Sequence, residues 1–168
     1  ALVDTGMAAN AFPAGIATNG SGTWVFGDSY NGRIFYSIND GLTWALASFS
    51  FSSAGNQSQF TGQCIFDGVK FIITTSPSSV GATSFGAQIA NSSDGANWTL
   101  RYQDPANGRK TYMSLANGNI FLADDGTNAG FAGKYIYSTD HGDTWTTATV
   151  PALPSVPGTT LSYNGSYL

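Results

Sequence analysis

Apolar and polar positions alternate along this chain in short runs, and Asn-Gly or Asp-Gly dipeptides punctuate them. Ala14-Gly15-Ile16-Ala17, Thr23-Trp24-Val25-Phe26, Arg33-Ile34-Phe35-Tyr36 and Trp44-Ala45-Leu46-Ala47 each read as a strand, with Asn19-Gly20 as the turn between the first two. β-Branched and aromatic residues bounded by Gly, Asn and Asp favour strands, and Asn-Gly supplies the positive φ that a tight hairpin needs. Four such strands predict one antiparallel sheet. The same order returns in Gln63-Cys64-Ile65-Phe66, Asp67-Gly68, Lys70-Phe71-Ile72-Ile73, Ala87-Gln88-Ile89-Ala90 and Trp98-Thr99-Leu100-Arg101. It returns again in Tyr112-Met113-Ser114-Leu115, Asn117-Gly118, Asn119-Ile120-Phe121-Leu122, Lys134-Tyr135-Ile136-Tyr137 and Trp145-Thr146-Thr147. A fourth unit begins at Leu161-Ser162-Tyr163, Asn164-Gly165 and Ser166-Tyr167-Leu168. The turn glycines Gly20, Gly68, Gly118 and Gly165 stand 48, 50 and 47 residues apart.

Between the third and fourth predicted strands of each unit lies an octapeptide. The copies are Ser37-Ile38-Asn39-Asp40-Gly41-Leu42-Thr43-Trp44, Asn91-Ser92-Ser93-Asp94-Gly95-Ala96-Asn97-Trp98 and Ser138-Thr139-Asp140-His141-Gly142-Asp143-Thr144-Trp145. Aligned without gaps on glycine and tryptophan, they place Asn39, Ser93 and Asp140 as the short polar acceptor ahead of the turn. Asp40 and Asp94 then stand one residue later in the first two copies. Glycine takes the left-handed position, the acceptor satisfies unpaired turn amides, and the indole covers the hairpin. On this reading Asn39, Gly41, Trp44, Asp94, Gly95, Trp98, Asp140, Gly142 and Trp145 are structural staples, and their carboxylates are not catalytic.

The pattern S-x-D-x-G-x-T-W, complete in the third copy alone, resembles the Asp-box, or BNR, repeat of sialidases and other secreted β-propellers. The resemblance runs from about residue 11 to the end. It implies an all-β fold of four-stranded propeller blades at about 11–52, 60–104 and 111–151, with a fourth starting at 159 and residues 1–10 as an opening strand or linker. Propellers close with roughly four to eight blades. The expected partners are therefore the remaining blades of a longer polypeptide, or other subunits that complete the ring.

Composition agrees with an all-β chain. Glycine numbers 21, charged residues make up 10%, and there is no glutamate, a residue that helices use freely. A net charge of −4 with six scattered Lys and Arg argues against a nucleic-acid partner. No apolar run is long enough for a membrane helix. The single cysteine, Cys64, stands in an apolar run and reads as a small core hydrophobe.

Strand parity puts the octapeptides and the Asn-Gly or Asp-Gly turns at one end of each sheet. Longer, unequal loops lie at the other end, where binding sites on repeated scaffolds sit. There Tyr30, Phe85, Tyr102 and Phe131 are candidates to stack on sugar rings, and Asp104, Arg109, Asp124, Asp125 and Asn128 to hydrogen-bond hydroxyls. Two loop aspartates could also serve a glycosidase. The run Asp124-Asp125-Gly126-Thr127-Asn128 is the nearest approach to a Ca²⁺ loop, but its spacing is not that of an EF-hand, so no cofactor or metal is expected. His141, without a second His or a Cys nearby, is expected to face solvent.

The sialidase chemistry implied by the resemblance needs three arginines around a carboxylate and a Tyr/Glu pair. Arg33, Arg101 and Arg109 are the only arginines, Glu is absent, and Arg33-Ile34-Phe35 lacks the proline of the family's F/Y-R-I-P motif. The expectation is a non-enzymatic binding or structural module of an extracellular or virion protein, of the phage tail, fibre or capsid-decoration kind, recognising a surface glycan. The alternatives are a sialidase-like glycan hydrolase whose catalytic groups lie outside these residues, and a purely architectural subunit.

Overall fold

In the computed structural model, residues 13–28, 32–51, 59–77, 87–104, 110–116, 118–124 and 134–149 are described. Residues 1–10 and the fourth unit from 159 lie outside them. Every regular element among the described residues is a strand. They are β1 (Pro13–Thr18), β2 (Trp24–Asp28), β3 (Arg33–Ser37), β4 (Ala45–Ser50), β5 (Gln59–Phe66), β6 (Phe71–Pro77), β7 (Gln88–Ser92), β8 (Thr99–Gln103), β9 (Lys110–Ala116), β10 (Asn119–Asp124), β11 (Lys134–Ser138) and β12 (Thr146–Thr149).

They form three four-stranded antiparallel sheets in sequence order, β1-β2-β3-β4, β5-β6-β7-β8 and β9-β10-β11-β12. The first-to-second turns are closed by side chains. Asn19 Oδ1 accepts from the amides of Ser21 and Thr23 at 2.8 and 3.1 Å, and Asp67 Oδ1 from those of Val69 and Lys70 at 2.9 and 2.7 Å. Register shifts interrupt the β1–β2, β3–β4, β5–β6, β7–β8 and β9–β10 pairings and add local twist.

The period of two decides how the sheets stack. In the first sheet Val25 pairs with Tyr36, and these two with Ile34 point toward the second sheet. They meet Cys64, Phe71, Ile73, Ala90 and Trp98 in one core cluster. The alternate residues Ile72 and Ile89 of the second sheet point the other way and join Met113, Ile120, Leu122 and Ile136 of the third. The second sheet is thus buried on both faces, and β7 is buried throughout. Cys64 lies inside the first cluster, where burial pushes its thiol far up from the ordinary range.

Among the described residues two faces are left over. On the far side of the first sheet Phe26 stacks on Phe35 at 5.0 Å, and Trp44 lies 4.8 Å from Phe26. On the far side of the third, Phe121, Tyr135 and Tyr137 form an aromatic patch with centroids 6.1–6.2 Å apart.

Candidate functional site

Each octapeptide forms the hairpin between the third and fourth strands of its sheet, and the same hydrogen bonds close all three. In the first, Gly41 N donates to Ser37 Oγ at 2.9 Å and Thr43 N to Asn39 Oδ1 at 2.9 Å, while Asn39 Nδ2 donates to Thr43 Oγ1 at 2.8 Å. In the third, Gly142 N donates to Ser138 Oγ at 2.8 Å and Thr144 N to Asp140 Oδ1 at 2.9 Å, with Thr144 Oγ1 on Asp140 Oδ2 at 2.6 Å. The indole N–H of Trp44, Trp98 and Trp145 donates to the carbonyl of Gly41, Gly95 and Gly142, at 3.0, 2.7 and 3.2 Å.

The second hairpin corrects the gapless alignment. Its acceptor is Asp94, not Ser93: Asp94 Oδ1 takes the amides of Ala96 and Asn97 at 2.9 and 2.8 Å, and Ser92 Oγ takes that of Gly95 at 2.8 Å. Serine and acceptor are two residues apart in every copy, but glycine follows the acceptor directly here. The other copies insert one residue, Asp40 at φ 57° and His141 at φ 60°, so two successive left-handed residues make their turn.

These carboxylates serve the backbone. Hydrogen bonds from the Thr144 hydroxyl and amide hold Asp140 down to about 2. For Asp94, burial pushes the pKa up, but bonds from Asn97, Ala96 and Ser92 outweigh it and leave a net lowering.

The hairpins also join the sheets. A Cβ on Gly95 would stand 2.9 Å from Val25 Cγ2 and 3.2 Å from Thr23 Cγ2, and one on Gly142 3.2 Å from Ile72 Cγ1. Glycine is therefore required twice over, by its φ and by the neighbour's approach. Ser48 N of the first sheet donates to Ala96 O at 3.3 Å. Asp143 reaches back to the second sheet, where Lys70 Nζ bonds both carboxylate oxygens at 2.7 and 2.6 Å, Asn91 Nδ2 lies at 2.8 Å and Arg101 at 3.1 Å. The Lys70 and Asn91 bonds pull Asp143 below the usual carboxylate range. His141 does not stand free in solvent: its Nδ1 lies 2.9 Å from Asp67 Oδ2 of the second sheet.

At the opposite end of the sheets, the second sheet carries a buried polar floor of Thr74, Thr75, Gln88 and Asp104. Gln88 N donates to Thr75 Oγ1 at 3.2 Å and Asp104 N to Ala87 O at 2.9 Å. Tyr102 stands beside it, half-buried against the second core cluster, its phenol pushed up to about 12 by burial and then by the charge of Asp104. Tyr102 and Asp104 are thus brought together, with the Asp104 side chain in the floor. Tyr30, Phe85, Arg109, Asp125, Asn128 and Phe131 lie outside the described residues, as does the side chain of Asp124.

The two described arginines do not converge. Arg33, at the loop end, is clamped on buried Asp28 Oδ2 through Nε at 2.9 Å and a terminal nitrogen at 2.7 Å, over the Phe35 ring. Arg101 is drawn to the hairpin end by Asn91 Oδ1 at 3.0 Å and by Asp143. Among the described residues no three His, Cys, Asp or Glu side chains gather where a metal ion could be held.

No protein-family model matches the chain, and no curated protein matches it. Solved structures do. A YCF48 structure bound to D1 peptide superposes with a TM-score of 0.57 at 15% identity, over 82% of this chain and 41% of that one. YCF48 from Cyanidioschyzon merolae gives 0.53 at 12%, over 86% and 40%. The soluble aldose sugar dehydrogenase of Escherichia coli, in its apo form, gives 0.53 at 14%, over 80% and 46%. The chain spans less than half the length of these β-propellers, and the likeness concerns the fold: the three sheets are propeller blades.

Proposed function

We propose that this chain is a non-enzymatic β-propeller binding module of an extracellular or virion protein. Its three stapled hairpins are read as Asp-box repeats, and its partner is taken at the loop end. The observation that carries this reading is where the charged groups are engaged. The acceptors Asp94 and Asp140 are held by turn amides, and Asp143 by Lys70 and Arg101. The hairpin end thus has its polar groups committed to the fold, and the variable loops are left to meet a ligand.

The ligand class is a surface glycan, with Tyr30, Phe85, Tyr102 and Phe131 as stacking candidates and Arg109, Asp124, Asp125 and Asn128 as hydroxyl partners. An extended peptide is the second reading, favoured by the likeness to a propeller solved with a peptide bound. A glycan hydrolase would need catalytic groups beyond the residues described.

The test is binding of the purified chain to glycan and peptide arrays, followed by titration of the best ligand. Arg109→Ala and Asn128→Ala should each weaken it at least about tenfold, roughly one lost charged or polar contact, with unchanged thermal midpoints. Asp140→Ala should lower the midpoint and leave the affinity of the folded fraction alone. Loss of binding in Asp140→Ala with unaltered stability would overturn the assignment of the two ends.

A further inference from the structure

The hairpin that opens each sheet-to-sheet contact has a seat on the sheet before it, and the seat is the same pair of positions each time. It is the residue directly before the hairpin serine together with its partner across the ladder: Tyr36 with Val25 in the first sheet, Asn91 with Ile72 in the second. Gly95 presses on Val25 and Tyr36, and Gly142 on Ile72 and Asn91. The residue after the glycine is matched to what it meets. Ala96, with no polar side chain, meets the first sheet through its carbonyl on the Ser48 amide, and Asp143 meets Lys70, Asn91 and Arg101 of the second.

Among the described residues, one hairpin and one seat remain over. A Cβ on Gly41 would touch only Trp44 of its own hairpin, and the residues flanking that turn are apolar and open, Ile38 at 72% and Leu42 at 65% exposure. Ile16 and Leu46, which pair with Phe26 and Phe35 on the same face, are exposed as well. The remaining seat is Tyr137 with its ladder partner Phe121, flanked by Tyr135 and half-buried. Where the second sheet has Lys70, the third has Asn119 by ladder position, and where Arg101 stands three residues after Trp98, Ala148 stands three after Trp145. The free hairpin thus offers leucine to a seat of aromatic rings and no cation. An aspartate there, as at Asp143, would lose its water for no partner.

We propose that the first sheet of one copy docks on the third sheet of a second copy of this chain, with Leu42 on Phe121, Tyr135 and Tyr137. The contact repeats the step between successive sheets, so two copies joined through two identical seams close a ring rather than growing into an open fibre. Each seam covers the exposed Ile16, Ile38, Leu42 and Leu46 of one copy. This inference goes beyond the loop-end ligand and does not depend on it.

The test is native mass measurement and light scattering over a dilution series. The chain should run at twice its 17.5 kDa mass. Leu42→Asp should run as a single copy, as should the double variant Asn119→Lys/Tyr137→Asn, each keeping the far-ultraviolet circular dichroism of the parent. Mixed together, the two single-copy variants should form a mixed pair. One seam then carries Asp on Lys and Asn, as the seam between the second and third sheets does, and the other carries Leu42 on the native aromatic seat. A parent chain of single-copy mass, polymers that grow with concentration, or a folded mixture that stays apart would each overturn the proposal.

Discussion

The hairpins at the two seams between the three sheets use one backbone device and opposite chemistry. At the first seam Gly95 and Trp98 pack on Val25, Thr23 and Tyr36, with one backbone bond from Ser48 to the Ala96 carbonyl. At the second, Asp143 and His141 are held by Lys70, Asn91, Arg101 and Asp67. Apolar contact scales with the area it removes from water, whereas ion pairs open to solvent contribute roughly 0–1 kcal/mol each. Both seams bury an apolar cluster, so the difference lies in the hairpins: the one at the first seam adds apolar contact, and the one at the second chiefly selects, because a wrong hairpin there would leave Lys70 and Arg101 without their carboxylate. A repeat protein whose hairpins were interchangeable could pair its blades out of order, and the polar seam opposes that.

The largest effect should come from the tryptophans, which differ in burial between the seams. Trp98 is buried and Trp145 half-buried. Trp98→Ala is expected to cost about 3–5 kcal/mol in chemical denaturation and Trp145→Ala measurably less, as the cost of a large-to-small change follows the cavity it leaves. Equal costs would mean that the seams are not different in kind. Next come two glycines with nearly the same backbone. Gly20 and Gly95 have φ of 71° and 80°, but a Cβ on Gly20 meets nothing within 4 Å. Gly20→Ala should cost only the left-handed penalty, about 1–2 kcal/mol. Gly95→Ala should add about 1–3 kcal/mol for the overlap with Val25. If the two variants melt together, the first seam is not pressed closed by Gly95.

What was legible in the sequence follows the same division. The strands, their order and the hairpin positions are local, and each is marked by a short apolar run or by a glycine at positive φ. The second hairpin was misaligned because Ser92 and Ser93 both look like the leading serine once glycine and tryptophan are held fixed. What the turn conserves is the two-residue step from serine to acceptor, seen in Ser37–Asn39, Ser92–Asp94 and Ser138–Asp140. The seams were not legible. Lys70 and Asp143 are 73 residues apart, and His141 and Asp67 are 74, so only the stacking of sheets brings them together. At the loop end, position alone put Tyr102 and Asp104 side by side, but the burial of Asp104 with Gln88 and Thr75 depends on how the sheet closes.

The polar seam should respond weakly to mutation and visibly to salt. Asp143→Ala is expected to cost at most about 1 kcal/mol, since both cations stay partly open to water. The loss should shrink as salt rises, because the parent pair is itself screened. A loss of several kcal/mol, independent of salt, would make this seam the stabilising one and reverse the comparison.

The smallest change is Asp140→Asn, and the molecule already contains its control. In the first hairpin Asn39 does what Asp140 does in the third: Oδ1 accepts from the amide of the threonine four residues on, and the second head-group atom bonds its hydroxyl, with Asn39 as donor. Thr144 needs only to turn its hydroxyl round, so at neutral pH the variant should lie within about 1 kcal/mol of the parent. Acid should separate them. Asp140 titrates at about 2 in the folded chain and at about 4 when unfolded, a depressed value. Its contribution is therefore fully present above about pH 4 and is lost as pH falls toward 2. The amide that replaces the carboxylate in Asp140→Asn has no proton to take up, so the midpoint of the variant should fall less steeply than the parent's across that window. Parallel midpoints from about pH 5 to 2 would show that the Asp140 carboxylate is not held by the turn, and that the third hairpin is closed by Ser138 and Trp145 alone.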